Sequence, residues 1–144
     1  MEIAVVTGAS SGIGAATAVA LAKSGYEVIA AARRVDRLEA LAKANPNIKT
    51  AHLDVTDQKS VDDFAKTLQG KPVAILVNNA GGAFDGAAVL DSDPKVWQET
   101  YDVNVVGAVR MTKAITPIMK AHGKGHIVII SSDRKSTRLN SSHG

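Results

Sequence analysis

The sequence has no cysteine among its 144 residues, which excludes disulfide bonds, thiolate metal ligands and a cysteine nucleophile. It also has no apolar run approaching the roughly 20 residues that a membrane-spanning helix needs. The N-terminus lacks the basic segment followed by an apolar one that marks a secretory leader. These features predict a soluble protein of a reducing compartment, and we expect a cytoplasmic location.

Aromatic side chains and surplus positive charge are also scarce. Aromatic residues make up 3% of the chain, and 17 basic residues stand against 14 acidic ones. Three of the basic residues and one acid fall in the last twelve positions, so positions 1–132 hold 14 basic and 13 acidic side chains. A nearly neutral body with few rings to stack on bases argues against a nucleic-acid partner.

The histidines lack acidic and cysteine partners for a metal site. His52, His122 and His126 have no acidic residue or cysteine beside them at the intervals that bind zinc. We therefore expect solvated or capping roles for these side chains and no metal site.

The chain does contain apolar runs that alternate with helical patterns at regular intervals. The runs predict five buried strands, at Ile3–Thr7, Glu27–Ala32, Ile48–Leu53, Val73–Val77 and His126–Ile130. The helical patterns cover Ala15–Lys23, Asp36–Ala44, Ser60–Leu68 and Lys95–Ala121, with a kink expected at Thr116-Pro117. This order predicts an α/β fold, a Rossmann-like doubly wound parallel sheet between two helical layers, as one domain over residues 1–132.

A glycine-rich loop joins the first strand to the first helix. Its members are Gly8, Ala9, Ser10, Ser11, Gly12, Ile13 and Gly14. Glycines let the backbone turn sharply and approach a phosphate, and the amides of the first helical turn face the anion. A glycine triplet alone occurs by chance, but a strand before it and a helix after it favour a dinucleotide pyrophosphate site.

Two arginines follow the second strand, where an NAD-binding protein of this kind offers an acid to the ribose. Arg33 and Arg34 suit a 2′-phosphate, which guanidinium groups bind bidentately. NADP is therefore favoured over NAD, and a solvated surface pair is the alternative.

The third and fourth predicted strands also end in polar residues. Asp54-Val55 follows the third strand, and Asp54 could accept from the adenine amino group or simply cap a helix that starts near Thr56. Asn78-Asn79-Ala80-Gly81 ends the fourth strand. Amides that leave a buried strand need partners, although a generic turn would also explain them.

Taken together, these residues resemble the short-chain dehydrogenase/reductase family. The resemblance covers Ile3 to about Ser132 and rests on Thr7-Gly8, Gly12, Gly14, Asp54-Val55, Asn78 to Gly81, Asn104 with Gly107, and Ile129 to Ser132. With Ala32-Arg33-Arg34 and Arg37-Leu38, the sequence is similar to NADP-linked reductases that act on small hydroxy acids, hydroxy-amino acids or related alcohols.

The resemblance implies roles for individual residues. The glycine loop would hold the pyrophosphate, and Arg33 and Arg34 would hold the 2′-phosphate. Asp54-Val55 would contact the adenine. The adenine-side ribose would be contacted by Asn79, Ala80 and Gly81. It further implies that Ser132 orients the substrate oxygen and that Asn104 holds a proton-relay water, with a polar surface position as the alternative for Asn104. Homodimers or homotetramers would form through the Lys95–Ala121 helix.

The family's reaction also needs a tyrosine followed by a lysine four residues later. Neither Tyr26 nor Tyr101 has that lysine, and counting about a dozen residues from Ser132 reaches Gly144. We therefore expect a truncated polypeptide that is catalytically silent as written. Because truncation would leave the strand His126–Ile130 as an open, apolar sheet edge, we also expect this polypeptide to be poorly soluble. A non-catalytic dinucleotide sensor is the alternative function for the protein.

The segment from Asp133 to the end departs from the family pattern. The string Asp133 to His143 is similar to the direct translation of a common sequencing-library adapter. We therefore predict a non-native tail over residues 133–144. A native surface loop is the alternative, although the string has no amphipathic period.

Overall fold

The computed structural model describes residues 1–10, 12–79, 94–95, 98 and 102–130. The strands are β1 (Ile3–Thr7), β2 (Glu27–Ala32), β3 (Ile48–His52), β4 (Val73–Asn79) and β5 (His126–Ile130). The helices are α1 (Gly12–Lys23), a 3-10 turn (Val35–Leu38), α2 (Glu39–Ala44), α3 (Gln58–Lys66), a π-helical turn (Asp102–Val106) and α4 (Gly107–His122). No helix within these described ranges is long and apolar enough to cross a bilayer.

All five strands are parallel and lie in the order β3-β2-β1-β4-β5, so β1 is central. Successive residues of a strand point to opposite faces of the sheet, so β1 contributes side chains to two separate hydrophobic cores. Ile3 and Val5 pack with residues of α3 and α4, whereas Ala4 and Val6 pack with α1. The predicted doubly wound α/β sheet, with helices on both faces, is therefore confirmed.

Several predicted boundaries were wrong by a few residues. α1 begins at Gly12 rather than Ala15, and β4 runs on to Asn79. α3 begins at Gln58, where the Asp57 side chain accepts from the amide of Lys59 at 3.0 Å. Within the range of the expected single helix Lys95–Ala121, Asp102–Val106 form a π-helical turn instead of α-helix, and α4 then runs through Pro117.

A small charged cluster ties the start of β1 to the end of α4, far from the carboxyl edge of the sheet. His122 Nε2 lies 2.7 Å from Glu2 Oε2, and Lys124 Nζ lies 3.1 Å from the same oxygen. The hydrogen bond with His122, followed by the one from Lys124, lowers the pKa of the Glu2 carboxyl. The contact between His122 and Glu2 could not be predicted from the sequence, because 120 positions separate the two residues.

This cluster predicts a pH-dependent contribution to stability. Because the folded-state pKa of Glu2 lies below its ordinary value of 4.5, the ionised carboxylate stabilises the fold above that value. The contribution is lost as the pH falls through the folded-state pKa. We expect the melting temperature of Glu2→Gln to lie below that of the wild type at about pH 6 and to converge with it once the pH has fallen below the folded-state pKa. A gap that persists at the lower pH would contradict this origin.

Candidate cofactor site

The carboxyl ends of parallel strands meet at one edge of the sheet, and the polar residues identified above gather there. At the end of β1, Gly8 adopts a left-handed backbone conformation with φ of +59°. Glycine reaches this conformation without steric cost. The next amide, that of Ala9, donates to the carbonyl of Ala31 in β2 at 3.3 Å. The loop is therefore anchored to the neighbouring strand before α1 begins.

Asn79 closes the loop from the other side. Its side-chain nitrogen donates to the carbonyl of Gly8 at 2.9 Å, across 71 positions of sequence. A Cβ on Gly14 would lie 2.6 Å from that same nitrogen and would also meet the Gly8 carbonyl oxygen. A Cβ on Gly8 would lie 2.7 Å from the Asn79 carbonyl oxygen. Two glycines and one asparagine thus pack so closely that no side chain fits at either glycine.

The two asparagines at the end of β4 have hydrogen-bond partners, as expected for polar residues at the end of a buried strand. Asn78 Nδ2 donates to Thr112 Oγ1 in α4 at 3.3 Å. The backbone amide of Asn79 donates to Thr7 Oγ1 at 3.1 Å, and that hydroxyl donates to the carbonyl of Val77 at 3.4 Å. Both asparagines belong to the strand, so the generic-turn interpretation is wrong for them.

The outer side of the glycine loop is open. A Cβ on Gly12 would meet no atom within 4 Å, and Ile13 is 56% exposed. Gly12 opens α1, so the first-turn amides have no partner four residues earlier in the helix and carry its partial positive charge. A closed inner side and an open outer side with amides at a helix start fit a dinucleotide pyrophosphate. Ser10, half-buried, borders this opening.

Arg33 and Arg34 follow β2 directly, and both are exposed. Burial raises the pKa of the Asp54 carboxyl, but two hydrogen bonds from Thr56 and the charges of Arg33 and His52 outweigh it, so the net pKa is lowered. Asp54 Oδ1 accepts from the Thr56 amide at 3.0 Å and from its hydroxyl at 2.6 Å. Asp54 therefore stays ionised beside Arg33. Its interpretation as the cap of a helix starting near Thr56 is wrong, because Asp57 caps α3.

Arg110, which was not predicted from the sequence as a site residue, links Val55 to the π-helical turn that contains Asn104. Arg110 in α4 donates to the Val55 carbonyl at 2.9 Å and to Asp102 Oδ1 at 3.1 Å. Asn104 lies in the middle of the π-helical turn that begins at Asp102. A signal for Arg110 was present in the sequence. Asn104, Gly107 and Arg110 follow one another at intervals of three, which places successive members on neighbouring positions of a helix surface.

Four predicted site residues lie outside the described part of the chain: Ser11, Ala80, Gly81 and Ser132. The predicted tail over residues 133–144 lies outside it as well. In the described ranges, no group of three or more acidic or histidine side chains is placed to hold a metal ion.

Comparison with known proteins agrees with this geometry. Residues 2–141 match the sequence profile of the short chain dehydrogenases. The chain belongs to this family. The resemblance drawn from the motifs is therefore confirmed. The profile match runs past residue 132 into the segment predicted to be a non-native tail, so it marks no boundary there.

Relatives within the short-chain dehydrogenase family differ in length and in name. Glycine betaine reductase of Emericella nidulans is 44% identical over an alignment of 138 residues, and the match covers 92% of this chain and 11% of that protein. The NADP-dependent 3-hydroxy acid dehydrogenase of Salmonella typhi is 35% identical over 90% of this chain and 54% of its own length. The chain thus spans about half the length of its bacterial relative.

A solved structure superposes closely on this member of the family. It is a metagenomic short-chain oxidoreductase in complex with NADP, with a TM-score of 0.82 and 33% identity. The match covers 92% of this chain and 62% of that one.

Proposed function

We propose that this chain provides the NADP-binding part of an oxidoreductase that transfers hydride between NADP(H) and an alcohol or ketone. The observation that carries the proposal is the glycine cradle, closed inward by Asn79 and open outward at Gly12, with Arg33 and Arg34 at the end of the next strand. The NADP complex of the superposed metagenomic oxidoreductase supports the choice of cofactor.

Each group at the sheet edge has a role in this proposal. The open outer side of the loop, with Ser10, Ser11, Gly12 and Ile13, binds the pyrophosphate, and Arg33 and Arg34 bind the 2′-phosphate. Asp54, ionised, accepts from the adenine amino group. Asn79, Ala80 and Gly81 contact the adenine-side ribose. When bound, the nicotinamide supplies the hydride chemistry.

For the reaction itself, we propose that Asn104 supports proton relay and that Ser132 orients the substrate oxygen. The name of the Salmonella relative supports a small hydroxy acid as the substrate class. We also propose that subunits associate along the helix that contains α4. Val105 and Val109 support this, since they lie four positions apart and are 44% and 52% exposed.

Cofactor binding tests the proposal directly. We expect the chain to bind NADPH more tightly than NADH in a fluorescence titration, because only NADPH carries the phosphate that Arg33 and Arg34 can hold. Tighter binding of NADH would overturn the cofactor assignment. To test the reaction, the full-length protein encoded in the genome is mixed with NADPH and with small ketones or 3-oxo acids as substrates, and the oxidation of NADPH is measured. Binding of NADPH without oxidation by any of them would favour a dinucleotide sensor.

A further inference from the structure

We infer that Arg110 is a positioning residue that joins the Asp54–Val55 loop to the turn carrying Asn104, so that the two segments move as one unit. Its importance for cofactor chemistry rests on the proposed function, which assigns the loop to the adenine and Asn104 to the proton relay. The mechanical link itself rests on contacts among described residues and is tested separately.

The first contact is a pair of hydrogen bonds from one guanidinium nitrogen. Arg110 Nη1 reaches the Val55 carbonyl at 2.9 Å and Asp102 Oδ1 at 3.1 Å. The side chains of Arg110 and Asp102 are 22% and 33% exposed, so water and salt screen the pair less than an open surface pair. A charge-assisted bond of this kind is stronger than a neutral one.

The second contact is the packing of Val55 on Gly107. A Cβ on Gly107 would lie 2.7 Å from Val55 Cγ2 and 3.3 Å from the carbonyl oxygen of Asp102. Val55 is thus held at its carbonyl by Arg110 and at its side chain by the bare backbone of α4. Neither the loop nor the helix start can shift alone without breaking one of the two contacts.

The link spans a π-helical turn. This geometry is rare, and it occurs mostly as single turns inside α-helices, frequently at functional sites. Asp102 is the first residue of the turn, Asn104 its third, and Arg110 lies beyond its end in α4. The Arg110–Asp102 contact therefore bridges the whole turn and fixes the segment in which Asn104 lies.

Hydrogen exchange of the ligand-free chain tests the link. The reporters are the amides of Asp54 and Thr56, which donate to Ser60 Oγ and Asp54 Oδ1, and the amides of residues 104–106. We expect Arg110→Gln to accelerate exchange in both segments by roughly tenfold, while amides of β1 keep their rates. Arg110→Lys retains a charge for Asp102 but has a shorter reach than arginine, so it should restore the turn more fully than the loop.

Three variants complete the design. Asp102→Asn should accelerate hydrogen exchange in the same two segments. In the double variant that combines Asp102→Asn with Arg110→Gln, the amides of the turn should exchange no faster than in Arg110→Gln alone. Lys59→Gln is the matched control, because it breaks the exposed pair of Lys59 with Asp63 in α3 and should change neither segment. If Arg110→Gln fails to fold, Asp102→Asn still decides the question. Acceleration confined to one segment in Arg110→Gln or Asp102→Asn would overturn the inference.

Hydrogen exchange with a bound nucleotide tests this inference separately from the proposed function. Adenosine 2′,5′-bisphosphate, which lacks the nicotinamide, should protect both segments in the wild type but only the loop in Arg110→Gln. Equal protection of the turn in both proteins would overturn the link. Failure of this nucleotide and of NADPH to bind would count against the proposed function, while the ligand-free exchange rates would still decide the role of Arg110.

Discussion

Replacing Gly14 by alanine is expected to destabilise the fold by about 3 kcal/mol, the upper part of the usual range for overpacking. The new methyl carbon would meet the Gly8 carbonyl oxygen, Asn79 Nδ2 at 2.6 Å and Ala9 Cα at 3.1 Å. Two of these three atoms are backbone, so relief requires moving the loop that forms the cradle. The measurement is the free energy of unfolding in urea, with NADPH affinity determined on the folded fraction.

Gly12→Ala is the matched control, two residues earlier in the same turn. Its methyl group would meet no atom within 4 Å, so the fold should be unaffected or stabilised by roughly 0.5 kcal/mol. NADPH affinity should nevertheless fall at least about tenfold, because the methyl group occupies the open side where the phosphates approach. Gly14→Ala with wild-type stability would contradict the packing argument. Gly12→Ala with wild-type affinity would contradict the proposed position of the pyrophosphate.

Replacing both Arg33 and Arg34 by alanine is expected to weaken NADPH binding by about 100-fold and NADH binding by less than about threefold. The physical reason is that the guanidinium groups pair with a phosphate that NADH does not carry. Both side chains are exposed, so their removal leaves no cavity and stability should change little. Dissociation constants for the two cofactors, measured at the same ionic strength, give the comparison.

The control for this pair removes positive charge elsewhere. Lys43→Ala alters an exposed residue in the last turn of α2 and should weaken neither cofactor more than about twofold. Equal losses of NADPH and NADH affinity in the double arginine variant would instead favour the interpretation of Arg33 and Arg34 as a solvated surface pair.

Local patterns in the sequence were sufficient for the elements and the fold class. The strands at Ile3–Thr7 and Glu27–Ala32 have the predicted bounds and are buried, because continuous apolar runs mark strands buried on both faces. The strand His126–Ile130 also has the predicted bounds, but the prediction that it is buried was wrong, since β5 lies beyond β4 at the end of the described sheet and its residues are mostly exposed. The helix starts were predicted less well. Gly12 begins α1 although glycine is a poor helix former, and Asp102–Val106 departs from the α geometry that the apolar period suggested.

The glycine spacing alone identified a phosphate-binding loop, but only the tertiary structure distinguished its glycines. Gly14 in α1 is required by packing against Asn79, 65 positions away in β4, whereas Gly12 faces open space. The sequence pattern alone does not distinguish the packing role of Gly14 from the open position of Gly12. They follow from the sheet order, which places β1 between β2 and β4 and so brings Asn79 against the loop.

By itself, the sequence determined the alternation of strands and helices, the positions of the sharp turns and the chemistry of each strand end. These properties depend on neighbours within a few residues, which is the range over which periodicity and turn preferences act. The tertiary structure alone decided that Asn79 closes the Gly8 loop and that Arg110 joins Val55 to the turn of Asn104. Such contacts span 55 to 71 positions and depend on which strands become neighbours, which no local preference specifies.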